Sequence, residues 1–125
     1  MALIETSVVV DFLRRYTPAF TWLHTQSQQP LVITPIIWME VISGGDNKIK
    51  RRRAAQFMEQ FEMIYLTDAD LEWAMEAQMQ YELSQGVGMM DCLIASVSHR
   101  LQVPLYTHNL KHFTPLLGNL AQKPY

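Results

Sequence analysis

The sequence predicts a single α/β domain over residues 1–125, with four or five parallel strands in one sheet and helices on both faces. Two observations carry this. Short apolar runs, too brief for helices, alternate with longer segments whose apolar residues recur at helical spacing. Helix-start signals directly follow several of those runs, so strand leads into helix, and parallel strands joined this way require right-handed crossovers. The 125-residue length is that of one domain, and 49% hydrophobic with 18% charged residues suits a packed core.

Taken in order, Ala2-Leu3-Ile4-Glu5 reads as a first strand. Thr6-Ser7 offers N-caps for a helix whose face is Val8, Val9, Phe12, Leu13 and Tyr16. Thr17-Pro18 ends that helix and supplies a cap with a first-turn proline for a second. Leu31-Val32-Ile33 is the next strand, and Thr34-Pro35 repeats the cap-and-proline signal for a third helix, Ile36 to Ser43, stopped by Gly44-Gly45. Asp46 is positioned to cap a fourth helix, with Ala54, Phe57, Met58 and Phe61 at i, i+3, i+4 and i+7, and Met63 to Leu66 reads as a strand. Thr67-Asp68-Ala69-Asp70 is a capping box with Asp in place of Glu. It opens the longest helix, in which Leu71, Met75, Met79 and Leu83 repeat every four residues until Gly86. Leu93, Ile94, Val97 and Leu101 mark a sixth helix, Val103 to Tyr106 a further strand, and the remainder a short helical turn and a tail.

Composition excludes several classes. Ten Lys plus Arg against twelve Asp plus Glu give a net charge of −2, so nucleic-acid contact requires a local basic patch. The single cysteine, Cys92, forms no intrachain disulfide, and Met1 to Phe12 lacks the pattern of a signal peptide, which together predict a cytoplasmic protein. Apolar runs such as Ile36 to Met39 fall far short of the ~20 residues that span a bilayer, so no membrane association is expected. Walker loop, Gly-rich dinucleotide and nucleophile-elbow patterns are absent, leaving ATP, NAD and serine-hydrolase chemistry without support.

Chemistry in a parallel α/β sheet sits beyond the carboxyl ends of its strands, which directs attention to four residues. Glu5 closes the first strand, and Glu40 is the only charge in Ile36-Ile37-Trp38-Met39-Glu40-Val41-Ile42. Asp91 opens the sixth helix, and Asn109 lies just past the strand ending at Tyr106. Each has an ordinary explanation by itself: helix dipole for Glu5 and Asp91, a wet stripe for Glu40, a turn for Asn109. Converging, three acids and an amide need a counter-ion, and an all-oxygen donor set suits Mg²⁺ or Mn²⁺ rather than Zn²⁺. Such an ion, or a pair, fits phosphodiester hydrolysis.

Four ordered segments, Leu3 to Val8, Trp38 to Val41, Asp91 to Ala95 and Thr107 to Phe113, resemble the signatures of PIN-domain ribonucleases, most closely the VapC toxins of type II toxin-antitoxin pairs. The resemblance implies a small PIN-like α/β domain, Mg²⁺- or Mn²⁺-dependent endoribonuclease activity on structured RNA leaving a 5′-phosphate, homodimerisation, and a VapB-type antitoxin that blocks the site. By position it makes Glu5, Glu40, Asp91 and Asn109 the catalytic and metal-binding set, and Thr6, Ser7 and Thr107 the residues that order it. Glu5 departs from the family pattern, which has Asp there. The extra methylene is enough to displace a ligand, and displacements near 1 Å cost about a hundredfold in rate. The alternative is therefore a nuclease-silent PIN-fold protein, disabled by Glu5, that binds RNA or an antitoxin.

Lys48, Lys50, Arg51, Arg52 and Arg53 crowd a predicted helix start, where the dipole disfavours cations. With Arg14, His108 and Lys111, and with Arg15 extending the patch, they are candidates for contact with RNA phosphates or an acidic antitoxin segment; a solvated charged face is the simpler account. His108 and His112 stand at i, i+4 with no third imidazole or cysteine nearby in sequence, and read as loop histidines near RNA. Cys92 reads as a buried small hydrophobe, and Met75, Met79, Met89 and Met90 as core or dimer surface.

Overall fold

The computed structural model describes residues 1–125 and has the α/β architecture the sequence predicts. Strands β1 (Ala2–Ile4), β2 (Leu31–Ile33), β3 (Glu62–Met63), β4 (Leu105–Tyr106) and β5 (Ala121–Gln122) form one parallel sheet in the order β3-β2-β1-β4-β5. Helices α1 (Thr6–Leu13) and α2 (Thr17–Thr25) link β1 to β2, and α3 (Pro35–Ser43) and α4 (Lys48–Met58) link β2 to β3. The crossover to β4 is α5 (Asp68–Gln85) with α6 (Met89–Leu101), and α7 (Leu110–Leu117) with a 3-10 turn returns the chain to β5. Central β1 pairs Leu3 with Val32 on one side and with Leu105 on the other. Ala2, Leu3 and Ile4 are all 0% exposed. Side chains alternate faces along a strand, so both faces of the sheet are covered.

Local chemistry explains the helix starts that the sequence marks. Thr34 Oγ1 accepts from the Ile37 N–H at 3.4 Å, ahead of the proline that opens α3. At α5 both halves of the capping box form: Asp70 N–H donates to Thr67 Oγ1 at 3.1 Å, and Thr67 N–H to Asp70 Oδ2 at 2.9 Å. Asp70 is buried and is also gripped by Arg100 Nε at 3.0 Å, which ties α5 to α6. Gly86 ends α5 at φ +69°, a left-handed conformation that glycine adopts without strain.

Several expectations are corrected. The cap position of α1 is Glu5, and Thr6 and Ser7 lie within its first turn, their hydroxyls donating to carboxylates and capping none of the helix's own amides. That helix stops at Leu13, short of Tyr16, and Arg15 takes a left-handed φ of 58°. Tyr16, not Thr17, occupies the α2 cap, and Asn47, not Asp46, caps α4 by accepting from the Lys50 N–H at 2.9 Å. Phe61 lies beyond α4. The third strand begins at Glu62 and is only two residues long, and β4 starts at Leu105. The tail carries a fifth strand.

The largest correction concerns α5. Leu71, Met75, Met79 and Leu83 are 43%, 67%, 88% and 98% exposed, which removes the core reading of Met75 and Met79, and Met89 and Met90 are exposed as well. The helix instead buries Ala74 and Ala77, whose small side chains let it lie close to its neighbours. Cys92 is buried, as expected, and desolvation raises its thiol. No helix is long and apolar enough to cross a membrane.

Candidate functional site

The strand order changes direction at β1: the chain steps to β2 and β3 on one side, then crosses to β4 and β5 on the other. At such a switch point the connections leave in opposite directions and open a crevice beyond the carboxyl ends. Glu5 follows β1 and Thr107 follows β4, and the Glu5 N–H donates to the Tyr106 carbonyl at 2.9 Å. The Thr107 and Ser7 hydroxyls both donate to Glu5 Oε1, each at 2.6 Å. Backbone amides of the next loop fix those hydroxyls in turn, His108 N–H donating to Ser7 Oγ at 3.1 Å and Asn109 N–H to Thr107 Oγ1 at 2.9 Å. Glu5 is 7% exposed, and the two hydroxyl donors compensate its lost hydration.

Glu40 enters from α3, where the Thr6 hydroxyl donates to its Oε1 at 2.6 Å. Desolvation raises the Glu40 carboxyl above its ordinary value, and the negative charges of Glu5 and Asp91 raise it further, against the Thr6 hydrogen bond. The charges of both Glu5 and Asp91 thus act on Glu40 at this end of the sheet. Asp91, in the first turn of α6, accepts from the Gly88 N–H at 3.3 Å, and its Oδ2 lies 3.1 Å from His112 Nδ1. Asn109 Nδ2 stands 3.0 Å from the same imidazole nitrogen. Neither Lys nor Arg forms an ion pair with any of the three acids. Beside Glu40 opens a cleft of 440 Å³ lined by Thr6, Ile36, Met39, Glu40, Ser43, Met90 and Leu93.

As the side chains stand, no three His, Cys, Asp or Glu groups meet at a point that would hold a metal. The donor chemistry nonetheless fits a hard divalent cation: carboxylates and an amide, no thiolate, and negative charge without a neighbouring ammonium or guanidinium.

Residues 2–113 match the PIN domain family. The chain belongs to that family. Its fold is similar to that of a chain in a toxin-antitoxin complex from Klebsiella pneumoniae, with a TM-score of 0.82 at 21% identity, covering 100% of this chain and 98% of that one. It is also similar to a chain of VapBC2 from Rickettsia felis bound to a DNA fragment from its promoter, with TM-score 0.77, 20% identity and 91% of each chain covered. A chain of VapBC-1 from nontypeable Haemophilus influenzae matches with TM-score 0.74 and 22% identity over 92% of this chain and 91% of that one. A comparison with curated protein sequences gave no match.

Around this PIN-domain crevice the remaining candidates separate. Of the basic window, Lys50 pairs with Asp46 at 3.1 Å and Arg51 Nε donates to the Gly45 carbonyl at 2.8 Å, so two of the five cations serve the start of α4. Lys48, Arg52 and Arg53 are exposed, and so are Arg14 and Lys111. Arg14 and Arg15 line a second cleft with Asp11, Tyr16, Thr17 and Pro18 at the far end of α1. His108 and His112 do not form a pair: His108 Nε2 turns to Asp11 Oδ2 at 2.9 Å, while His112 faces Asp91. Tyr125 also donates to Asp11 Oδ2, at 2.6 Å, and burial followed by that contact pushes its hydroxyl well up. Sequence reasoning missed Asp11 and Tyr125, which nothing local ties together, and undervalued His112. The available signal was its i+3 spacing from Asn109, which puts both on one side of a helical turn.

Proposed function

We propose that this PIN domain is a Mg²⁺- or Mn²⁺-dependent endoribonuclease and the toxin of a toxin-antitoxin pair. The observation that supports it is the carboxylate neighbourhood of Glu5, Glu40 and Asp91 at the sheet's switch point, with a raised Glu40 and no Lys or Arg to balance it. In this reading Glu5, Glu40, Asp91 and Asn109 hold one or two ions. A bound ion supplies an activated water and offsets the charge that develops on the scissile phosphate. The chain's own residues provide the frame. Ser7 and Thr107 fix Glu5, Thr6 orients Glu40, and the Gly88 N–H anchors Asp91, so the donors are held before substrate arrives. Exposed Lys48, Arg52, Arg53, Arg14 and Lys111 bind phosphates of the RNA or acidic side chains of a VapB-type antitoxin. A second copy of the chain covers the apolar stripe on α5, giving a homodimer.

In this reading the longer Glu5 side chain is a tolerated departure from Asp, supported by the two hydroxyls that donate to its Oε1. Expression of the chain in a bacterial host, beside its Asp91→Asn variant, tests the proposal. Growth arrest with accumulating RNA fragments is expected from the unaltered chain alone, with relief when a cognate VapB-type antitoxin is co-expressed. Unimpaired growth with intact RNA would contradict the toxin reading.

A further inference from the structure

Resting on the reading of RNA as substrate, we infer that the cleft at the far end of α1 is a second RNA site, taking one unpaired nucleotide with its base on Tyr16 and its phosphate on Arg14 and Arg15. The way α1 ends is the first support. The Arg15 N–H donates to the Phe12 carbonyl and the Tyr16 N–H to the Asp11 carbonyl, each at 3.0 Å, the pair of bonds that closes a helix through a left-handed residue. That residue is Arg15, at φ 58°. Glycine fills such a position without strain, as Gly86 does at the end of α5, whereas any side chain crowds its own backbone there. Arginine at this position keeps, against local strain, a guanidinium that glycine would lack.

No acid of this chain takes that charge. Arg14 and Arg15 are both exposed, and neither forms an ion pair. The one carboxylate lining their 540 Å³ cleft is Asp11, whose Oδ2 is engaged by the Tyr125 hydroxyl at 2.6 Å and by His108 Nε2 at 2.9 Å. Two guanidiniums against one engaged carboxylate leave the cleft positive in a chain whose net charge is −2. Tyr16 supplies an aromatic platform beside them. Its side is 51% exposed, and its ring leans on Tyr125 with centroids 6.1 Å apart. Tyr125 is fixed in turn by its bond to Asp11 and by the Trp22 ring at 5.9 Å. Unpaired cations next to an exposed, backed aromatic ring hold single-stranded nucleic acid, because the cations meet phosphates and the ring stacks a base of any identity. A duplex keeps its bases stacked inside and offers none. The eight residues of α1 separate Glu5 from this cleft by about 12 Å, so one strand lying along the helix reaches both.

Fluorescence anisotropy of the full chain with a short, end-labelled single-stranded RNA of mixed sequence, in chelator so that no metal-dependent cleavage intervenes, tests the assignment. Arg15→Gly is the decisive variant because it relieves the strained position: its Tm is expected to match or exceed the parent's. Its RNA affinity is nonetheless expected to fall about tenfold, and the slope of log affinity against log salt by about 0.7. Tyr16→Ala is expected to bind about tenfold more weakly and Tyr16→Phe, which keeps the ring, as the parent does. Duplex RNA and adenosine 5′-monophosphate are expected to compete poorly. Parental affinity in Arg15→Gly, a Tyr16→Phe protein as weak as Tyr16→Ala, or duplex competing as well as single strand would overturn the site. Displacement of the RNA by an equal concentration of the mononucleotide would overturn it in favour of a free nucleotide. An unaltered chain that binds no RNA would overturn both the site and the substrate reading on which it rests, whereas the expected binding pattern in a chain that cuts nothing once metal is added would support the site and overturn the nuclease reading alone.

Discussion

Thr107→Val removes one hydroxyl from a fully buried position and should unlatch the site from its loop. Two interactions are lost together. The 2.6 Å bond to Glu5 Oε1 has an ionised acceptor, a class that contributes about 1.5–3 kcal/mol, and the Asn109 N–H, 2.9 Å from Thr107 Oγ1, loses its partner at about 1–3 kcal/mol more. Ser7 still donates to Glu5, and the loop has room to hydrate, so a net loss of about 3 kcal/mol is expected. Over 125 residues the unfolding entropy is about 260 cal/mol/K, which converts that loss to roughly 12 °C in Tm. Urea unfolding at pH 7 without divalent metal measures it. In a Glu5→Gln background the acceptor is neutral, and the same substitution should lose about half as much. A Thr107→Val protein within about 1 kcal/mol of the parent, or an undiminished loss in the Glu5→Gln background, would refute a charged latch between β1 and β4.

Glu40→Gln addresses the crowding of the acids. Because folding raises the Glu40 carboxyl above 4.5, protonation stabilises the fold fully below about pH 4.5, and that stabilisation disappears as pH rises through the folded value. Without metal the variant should therefore melt higher than the parent at pH 7 and equally at pH 4, and saturating Mn²⁺ should abolish its advantage; equal melting at both pH values would count against the cluster. Met79→Lys, at a position 88% exposed, should leave urea stability within about 0.5 kcal/mol yet shift sedimentation from dimer to monomer, whereas a dimer unaffected by the change would place the interface elsewhere. Replacing Arg52 and Arg53 together by Glu should weaken RNA binding and reduce the slope of log affinity against log salt by about 1.4, and an unchanged slope in a filter-binding titration would remove α4 from the RNA path.

What the sequence made legible is what local chemistry determines. Thr34-Pro35 and Thr67 to Asp70 mark helix starts because a cap is satisfied within three residues, and the structure forms both. Glu5, Glu40, Asp91 and Asn109 were reachable because strand-to-helix alternation fixes where carboxyl ends lie. The α5 surface was not legible. Apolar residues four apart indicate a helix without saying which face is buried, and here close packing selects Ala74 and Ala77 over the larger Met75 and Met79. Strand β5 is too short to carry a periodic signal and exists through its pairing with β4. The contacts that shape the site join distant positions, Thr107 with Glu5 and His112 with Asp91, and only the folded sheet brings them together.

The most direct test of the central claim is the mapping of new 5′ ends after incubating total RNA with the purified chain, its Asp91→Asn variant and its Glu5→Asp variant, with Mg²⁺, with Mn²⁺ and with chelator. Discrete cleavage by the unaltered chain only when metal is present, lost in Asp91→Asn and retained in Glu5→Asp, is the predicted result. Cleavage that survives the chelator, or intact RNA with the unaltered chain in both metals, would contradict it.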